Sequence, residues 1–490
     1  MQHNPFPWMT RVLMLILMLG AIPLATGGAQ PLQASGTSGT AYAWGYNADG
    51  ELGDGNTTQS TTPVQVSLPT GVMATAMAAG ASHSLAIGSD GKLYAWGSNA
   101  RGELGNGSTA GSDIPVLVSL PPGVTASAIA AGGFHSLAIG SDGKLYAWGS
   151  NGNGQLGNGS TTDSSIPMVV TLPSGVTPTA IATGTYHSLV SGSNGKLYAW
   201  GYNNYGQLGN GSTTESHTPV LVLLPSGVTA RAVAAGYEHS LASGSDGKLY
   251  AWGQNFDGEL GNGTGTNSYT PVVVSLPSGV TASAIAAGAF HSLAIGSDGK
   301  LYAWGNNFYG ELGDGTTNDS YIPVAVSLPA GVTARAVAAG SDHGLAIGSD
   351  GKLYAWGFNG YGQLGNGSQA EGDVPVLVHL PSGTTPLALG TGPAASHSLA
   401  ILSSSPTAAL VAHFRVAHLA HGVVFHWRVA STAGILGFSL TSGTRQLNRT
   451  LIAVHAGSQR YRYTSRVGGS GSYVLHVVLQ GGGSIAIVGS

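Results

Sequence analysis

Short apolar runs separated by Gly-rich polar stretches recur along residues 41–402. Within the unit 131–182, these runs are His135–Ile139, Lys144–Trp148, Pro167–Thr171 and Thr179–Ala182. Runs of four or five residues suit β-strands and are too short for ordinary helices. The pattern therefore predicts four strands in each unit and an all-β protein.

The connections between these runs carry turn chemistry. Ser141-Asp142-Gly143 separates the first two runs, and the fourth repeat has Asn194-Gly195 at the same place. Asp-Gly and Asn-Gly favour tight hairpins because the turn needs positive φ at its central positions. The last two runs are separated by the turn Pro173–Gly175. We therefore expect antiparallel neighbours.

The units repeat with a fixed period of 52 residues. A Trp-Gly pair marks each unit, at Trp44, Trp96, Trp148, Trp200, Trp252, Trp304 and Trp356. A His recurs with the same period at His83, His135, His187, His239, His291 and His343, and then at His397 after a two-residue insertion. Seven four-stranded units predict a seven-bladed β-propeller over residues 41–402.

The two ends of the repeat region are complementary. The first unit begins at Ala41 and lacks the preceding His-Ser-Leu strand, whereas the last unit supplies that strand as His397–Ile401 and ends there. We therefore predict that Trp44 and His397 share one blade, with Tyr42 pairing beside Leu399, which leaves no open edge. An open β-solenoid is the competing fold, and it does not explain the complementary halves.

The string from His135 to Gly149, followed by Asn151 and by Gly-Gln-Leu-Gly at 154–157, resembles the regulator of chromosome condensation repeat. The resemblance covers residues 41–402 and implies a seven-bladed propeller. Known members of that family include a nuclear exchange factor for a small GTPase and secreted bacterial inhibitors of β-lactamases. Because a propeller is a scaffold for many activities, the fold alone does not fix the function.

The N-terminal segment has the pattern of a secretory signal. Arg11 precedes the apolar run Val12–Leu24, and small residues follow through Ala29. This predicts a signal peptide over 1–29, a linker over 30–40 and a secreted protein, with an uncleaved membrane anchor as the alternative. The chain has no Cys, so disulfides do not stabilise it.

The region after the repeats is predicted to be a linker at 403–408 and a small β-sandwich at 409–490. Seven β-rich runs suggest the sandwich: 409–416, 422–430, 434–440, 451–455, 460–465, 472–479 and 484–488. The segment around Trp427, together with Gly437-Phe438, is similar to a fibronectin-type-III-like module. Ser431 and Thr432 stand where such modules often carry an acidic residue after the Trp.

Charge is divided unevenly between the two regions. Residues 41–402 hold all 21 acidic side chains against six Lys and three Arg, whereas residues 403–490 hold seven Arg and no acid. The tail also holds six His: His413, His418, His421, His426, His455 and His476. We expect the tail to contact an anionic surface or polysaccharide outside the cell, to contact the acidic propeller, or to act as a passive soluble spacer.

The repeats contain little that indicates a catalytic site or a metal site. The repeated His residues lie too far apart around a ring to share one ion or substrate, and we interpret each as a structural His that ties a strand to a loop. Asp49-Gly50-Glu51 resembles part of a calcium loop, but repeat three has Asn153 and Gln155 in the equivalent positions. The preference of Asn, Asp and Gly for tight turns explains the residues found in both repeats. We therefore expect no enzyme activity, no metal and no cofactor.

The candidate binding residues are those that differ from unit to unit although the motifs around them, the His and the Trp-Gly pair, stay the same. Antiparallel pairing puts the residues just before each His and those just after each Trp-Gly at the same end of the hairpin. The first set is Phe134, Tyr186, Tyr237, Glu238, Phe290 and Asp342. The second set includes Tyr46, Tyr202, Tyr205, Phe256, Asp257, Phe308, Tyr309, Phe358 and Tyr361. The Asp-Gly turns and all six Lys lie at the opposite end.

Aromatic side chains with scattered carboxylates are typical of protein interfaces. The sequence therefore predicts an extracellular, monomeric module that binds a protein partner through one face. The alternatives are a carbohydrate or cell-wall binder, since rings also stack on sugars, and, less favoured, an exchange-factor-like regulator. No nucleic-acid partner is expected. These rings could also simply pack beneath neighbouring loops, which only a structure can decide.

Overall fold

A computed structural model describes residues 38–404 and, beyond them, strands between residues 411 and 489. The predicted signal peptide at 1–29, and the predicted linker as far as residue 37, lie outside the described residues. Within the described part of the chain, no helix is long and apolar enough to cross a membrane.

Residues 40–404 form seven four-stranded antiparallel sheets, which confirms the predicted seven-bladed propeller. The blades are numbered by their inner strands, which are Ala74–Ala79, Ala126–Ala131, Pro178–Thr183, Ala230–Ala235, Ala282–Ala287, Ala334–Ala339 and Thr384–Gly390. The second strands are His83–Gly88, His135–Gly140, His187–Gly192, His239–Gly244, His291–Gly296, His343–Gly348 and His397–Ser404. The third strands are Leu93–Gly97, Leu145–Gly149, Leu197–Gly201, Leu249–Gly253, Leu301–Gly305, Leu353–Gly357 and Thr40–Gly45. The outer strands are Ser112–Leu117, Ser164–Val169, Ser216–Leu221, Ser268–Val273, Ser320–Ala325, Gly372–Leu377 and Ser60–Gln65.

The outer strand begins earlier than its apolar run suggests. In blade two it starts at Ser164 rather than Pro167, because Ser164 already pairs with Gly149 on the third strand. The register then shifts between Ser164 and Met168. The Ser164 hydroxyl donates to the carbonyl of Ile166 within this irregular stretch.

Blade seven is built from both ends of the repeat region, as the complementary half-repeats predict. Tyr42 pairs with Ala400, and Trp44 pairs with Ser398. The strand that begins at His397 continues through Ser403 and Ser404, which pair with the inner strand of the same blade. The propeller therefore extends two residues into the segment predicted as a linker.

The seven inner strands surround a narrow channel of about 100 Å³. Its walls are small or branched side chains, among them Ala130, Ile181, Val233, Ala286 and Val337. Ala dominates the inner strands because the blades converge there and leave little room for larger side chains.

The core lies in the seams between blades rather than within one blade. In the seam between blades one and two, Trp148 and Tyr146 pack with Leu93, Leu104 and Ile129. The repeated Trp is fully buried in all seven blades. Each of these Trp residues is therefore a packing residue between blades.

Beyond the propeller, the described strands are Val411–Leu419, Gly422–Val429, Ile435–Ser442, Arg445–Gln446, Ile452–Ala453, Arg460–Ser465, Tyr473–Leu479 and Ser484–Gly489. The first, second and sixth form one antiparallel sheet, and the others form a second. Phe425 and Phe438, on the second and third of these strands, are buried. The side chains of the tail Arg and His residues lie outside the described residues, and the β-sandwich and its fibronectin-like character remain predictions.

Candidate binding face

The two variable sets of residues meet at one end of the propeller. His135 pairs with Gly149, so the neighbouring Phe134 and Ser150 adjoin, and the Ser150 amide donates to the Phe134 carbonyl at 2.8 Å. The same bond joins Tyr202 to Tyr186 at 3.0 Å. We call this end the loop face and the end with the Asp-Gly turns the turn face.

A buried hydrogen-bond network holds the loop face in place. The Nε2 of His135 lies 2.9 Å from the Ser188 Oγ of the next blade, and Ser188 donates to the Gln155 carbonyl at 3.0 Å. Because the single hydroxyl proton of Ser188 goes to that carbonyl, the imidazole must donate from Nε2. The indole of Trp200 donates to the same carbonyl at 2.7 Å. This network supports a structural role for the repeated His, but six of the seven His residues tie neighbouring blades together rather than a strand to its own loop.

Burial keeps these imidazoles neutral. It lowers the pKa of His83 and His291 to about 4, and the pKa of His135 to about 3. The Gly of the Gly-x-x-His frame belongs to the same arrangement, since a Cβ on Gly184 would overlap the ring of His187. Substitution there would displace the imidazole from its serine.

The network has one gap, between blades five and six. Gly344 replaces the expected serine, and the Nε2 of buried His291 has no hydrogen-bond partner among the described residues. Trp356 still donates to the Glu311 carbonyl at 2.8 Å. That seam therefore keeps its indole bond and lacks its imidazole bond.

A buried Asn shapes each long loop of the face, a role that sequence analysis missed. The Asn203 amide donates to the Ser212 carbonyl at 3.0 Å and to the Thr214 carbonyl at 2.8 Å, and its oxygen accepts the Leu208 amide. Equivalent bonds are made by Asn47, Asn99, Asn151, Asn255, Asn307 and Asn359. The sequence does contain a pattern that indicates this role, because the Asn follows Trp-Gly at the same distance in every unit.

The acidic residues that resemble part of a calcium loop accept hydrogen bonds from backbone amides of their own loops. Glu51 turns inward, and its Oε2 accepts the Asp49 amide at 3.0 Å. Gln155 accepts the Asn153 amide at 2.8 Å in the same way. In the part of the chain that the structure describes, no group of three or more His, Cys, Asp or Glu is placed to hold a metal ion.

Five aromatic rings form a continuous arc on the loop face, which we call the aromatic crescent: Phe134, Tyr186, Tyr202, Tyr237 and Phe290. The ring of Tyr186 lies 6.0 Å from Phe134, 6.2 Å from Tyr202 and 5.6 Å from Tyr237. Tyr237 in turn stacks on Phe290 at 5.5 Å. The crescent crosses blades two to five, so neighbouring blades together build one surface.

A second series of rings continues across blades five to seven, and we call it the outer belt: Phe308, Tyr309, Phe358, Tyr361 and Tyr46. Centroid separations along it are 4.8, 4.8, 5.8 and 4.9 Å in that order. Tyr205 and Phe256 form a separate pair at 5.7 Å.

The rings are partly packed on one another and partly exposed. Phe308 is 69% exposed, Phe256 54%, and Phe134 and Tyr361 37% each. The other rings of the crescent and the outer belt are half-buried. None of them is part of the fully buried core, so an apolar surface remains open at this face.

Two carboxylates lie within this surface. Glu238 is half-buried, and burial raises its pKa to about 7. Burial also raises the pKa of Asp342, and the Ser341 hydroxyl opposes this by donating to it at 2.8 Å. Both carboxylates occupy the position directly before the repeated His, where Phe134 and Phe290 stand in other blades, and burial on this face destabilises the charged form of both.

Charge is strongly divided between the two faces. The turn face carries all six Lys and five Asp, and three ion pairs join them, for example Lys144–Asp142 at 3.3 Å. Each of these Asp residues also accepts a Tyr hydroxyl, as Asp142 does from Tyr146 at 2.8 Å. The loops and strand ends of the loop face hold the other 16 acids, with Arg101 as their basic residue, paired to Asp163.

Family models match this chain along the propeller. The model described as RCC1-like domain matches residues 173–410. The model of the regulator of chromosome condensation (RCC1) repeat matches residues 38–87, 90–139 and 142–191. Ultraviolet-B receptor UVR8 of Arabidopsis thaliana is 34% identical over 337 residues, covering 69% of this chain and 77% of the receptor. The chain belongs to the RCC1 repeat family.

Other RCC1 relatives differ in how much of them the chain spans. The human E3 ubiquitin-protein ligase HERC2 is 34% identical over 324 residues, which cover 65% of this chain and 7% of HERC2. Among solved structures, Prp20p of Saccharomyces cerevisiae is 26% identical with a TM-score of 0.68, covering 76% of this chain and 93% of Prp20p. Human WBSCR16 has the same TM-score at 22% identity, which shows the RCC1 fold alone.

Proposed function

We propose that this chain is a secreted, non-enzymatic binding protein whose loop face engages a protein partner. The observation that carries the proposal is the aromatic crescent, a contiguous set of partly exposed rings on a rigid ring of sheets. Clustered aromatic side chains are the residues on which protein interfaces concentrate binding energy. The propeller is a suitable platform because its buried network fixes the loops before a partner arrives.

The family supports this proposal. Prp20p binds Gsp1p and histones, so an RCC1 propeller can engage other proteins. The apolar run Val12–Leu24 behind Arg11 supports secretion of this chain. Carbohydrate binding is less favoured, because Tyr186 and Tyr237 meet at 89°, as do Tyr205 and Phe256, and rings so crossed offer few flat faces to a sugar.

The test removes crescent rings and measures binding and stability separately. Phe134, Tyr186, Tyr237 and Phe290 are each replaced by Ala, and binding of secreted host proteins is measured by interferometry. We expect weaker binding by about 1–3 kcal/mol for the strongest positions. Melting should fall by less than about 2 °C, equivalent to roughly 1–2 kcal/mol in a propeller of this size.

Matched controls come from the outer strands. Leu117→Ala and Leu221→Ala remove exposed apolar side chains, 50% and 41% accessible, at the ends of outer strands that lie away from the loop face. They should leave binding unchanged. If the crescent variants lose stability and the controls do not, the rings are core residues and the proposal is wrong.

A further inference from the structure

We infer that the loop face accepts a basic segment of its protein partner, with a Lys or Arg side chain held at the crescent beside Glu238. This inference rests on the proposed protein-binding function and adds the chemistry of the partner. It draws on the state of the Glu238 carboxylate, the arrangement of the surrounding rings, and the division of charge between the two faces.

The Glu238 carboxylate is half-buried and unpaired. It forms no hydrogen bond or ion pair with any described residue, whereas its own backbone carbonyl accepts the Gln254 amide at 2.9 Å. A carboxylate withdrawn from water without a partner is costly, and a cation placed against it would recover that cost. The Asp residues of the turn face differ, because each already has a Tyr hydroxyl, and some have a Lys as well.

Two electron-rich rings lie near this carboxylate, that of Tyr237, its neighbour in the chain, and that of Tyr202. Burial and then Glu238 raise the pKa of Tyr202, and Glu238 also contributes to the raised pKa of Tyr237, which places the carboxylate near both phenols. The planes of Tyr202 and Tyr237 are inclined by 66° and 89° to that of Tyr186. Ring faces turned in different directions around a carboxylate suit an ammonium or guanidinium group, which binds both by cation–π attraction and by charge.

Among the residues that the structure describes, no free cation of the loop face lies ready to fill the site. Arg101, the basic residue of the loop face, is paired with Asp163 between blades one and two. Glu238 belongs to blade four, and the adjacent His239 is buried and kept neutral by burial, which lowers its pKa to about 3. The concentration of acids on this face would also steer a basic segment towards it.

The first arm of the experiment uses the full-length chain and a fluorescent dodecapeptide of alternating Lys and Ser. A peptide with Gln in place of Lys is the uncharged probe. We expect the Lys peptide to bind and the Gln peptide not to bind. Glu238→Gln should weaken binding by about tenfold, equivalent to about 1.4 kcal/mol.

The matched control removes the same charge elsewhere on the face. Glu371→Gln replaces an exposed acid in a loop of blade six and should change the affinity by less than about twofold, since exposed charges are well screened. Equal losses from the two variants would show diffuse attraction and overturn the inference. A chain in which the seven tail Arg are replaced by Gln tests self-occupancy. Tighter peptide binding by that chain would assign the site to its own tail and overturn the partner assignment.

The second arm separates this inference from the function on which it rests. A random dodecapeptide library is selected on the full chain and on the Tyr237→Ala variant. Enrichment of Lys and Arg that depends on Tyr237 supports the inference. Enrichment of neutral or acidic sequences that depends on Tyr237 would overturn the inference while the protein-binding function stands. No enrichment that depends on Tyr237 would count against both.

Discussion

The indole of Trp44 donates a hydrogen bond to the carbonyl of Gln363, 2.8 Å away and 319 residues later in the chain. The same bond elsewhere links residues only 45 apart, as between Trp96 and Glu51 at 2.7 Å. The joint at which the two ends meet is therefore built like the internal seams. Ser84 and His397 repeat the imidazole bond across the neighbouring seam at 2.7 Å.

Removing one serine of the buried network should destabilise a seam. Ser188→Ala leaves the imidazole Nε2 of His135 without an acceptor, and an unpaired buried donor costs about 1–3 kcal/mol. Urea denaturation should show a loss of this size. The control is Ser174→Ala, an exposed residue in the turn that leads into the same blade, and equal stability of the two variants would contradict the prediction.

The buried Glu of the loop should make stability depend on pH. Burial raises the pKa of Glu311 from its ordinary 4.5 to about 8, so its contribution is fully present below pH 4.5 and is lost as the pH rises towards 8. Glu311→Gln should therefore match the wild type at pH 4 and be more stable at pH 9. Gln already occupies this position at Gln155, Gln207 and Gln363, so it fits the site.

Chemical denaturation at pH 4, 6, 7.5 and 9 measures this dependence. Glu371→Gln, an exposed substitution on the same face, is the control and should show little change in the free energy of unfolding. A Glu311→Gln variant that is less stable than the wild type at pH 9 would contradict the assignment of a protonated carboxyl.

The loop Asn and the turn Asn should respond oppositely to the same substitution. Asn203→Asp replaces a donor of two hydrogen bonds by a carboxylate facing the carbonyls of Ser212 and Thr214, and should cost more than about 2 kcal/mol. Asn194→Asp should be neutral or stabilising, because five other blades carry Asp there and accept a Tyr hydroxyl, as in Asp246–Tyr250 at 2.7 Å. The melting temperatures of the two variants test this prediction, and equal changes in both would refute the role given to Asn203.

Closure of the ring should depend on the strand that begins at His397. A chain ending at Ser404 keeps that strand and should stay monomeric, whereas a chain ending at Ser396 exposes Thr40–Gly45 as an open edge and should aggregate. Light scattering and analytical ultracentrifugation distinguish the two. Aggregation of both chains would show that the tail, rather than the strand, maintains solubility.

The features of the fold that follow from local patterns could be predicted from the sequence. The Asp-Gly turns define the hairpins, so the sequence alone placed Phe134 and Tyr202 on one face. The half-repeats likewise predicted the pairing of Tyr42 beside Leu399, and Ala43 is opposite Leu399 in the structure. The contact between His135 and Ser188 was missed because it joins residues 53 apart across a seam, where no local pattern records which side chains meet. The distances between rings of the crescent also depend on how neighbouring blades pack against each other. The sequence therefore predicted which rings lie on the face, but not which of them contact one another.

The sheet that closes the ring also determines how the propeller would respond to tension. Thr40 lies opposite Leu402, so the first residue of one strand and the end of the other emerge at the same end of blade seven. A pull applied through these two ends would load the pairs one after another, starting at Thr40–Leu402, rather than all at once in shear. The pairing of these two strands, which closes the ring, would therefore separate one residue pair at a time and at low force. The other six blades are each continuous in the chain and would not bear this force.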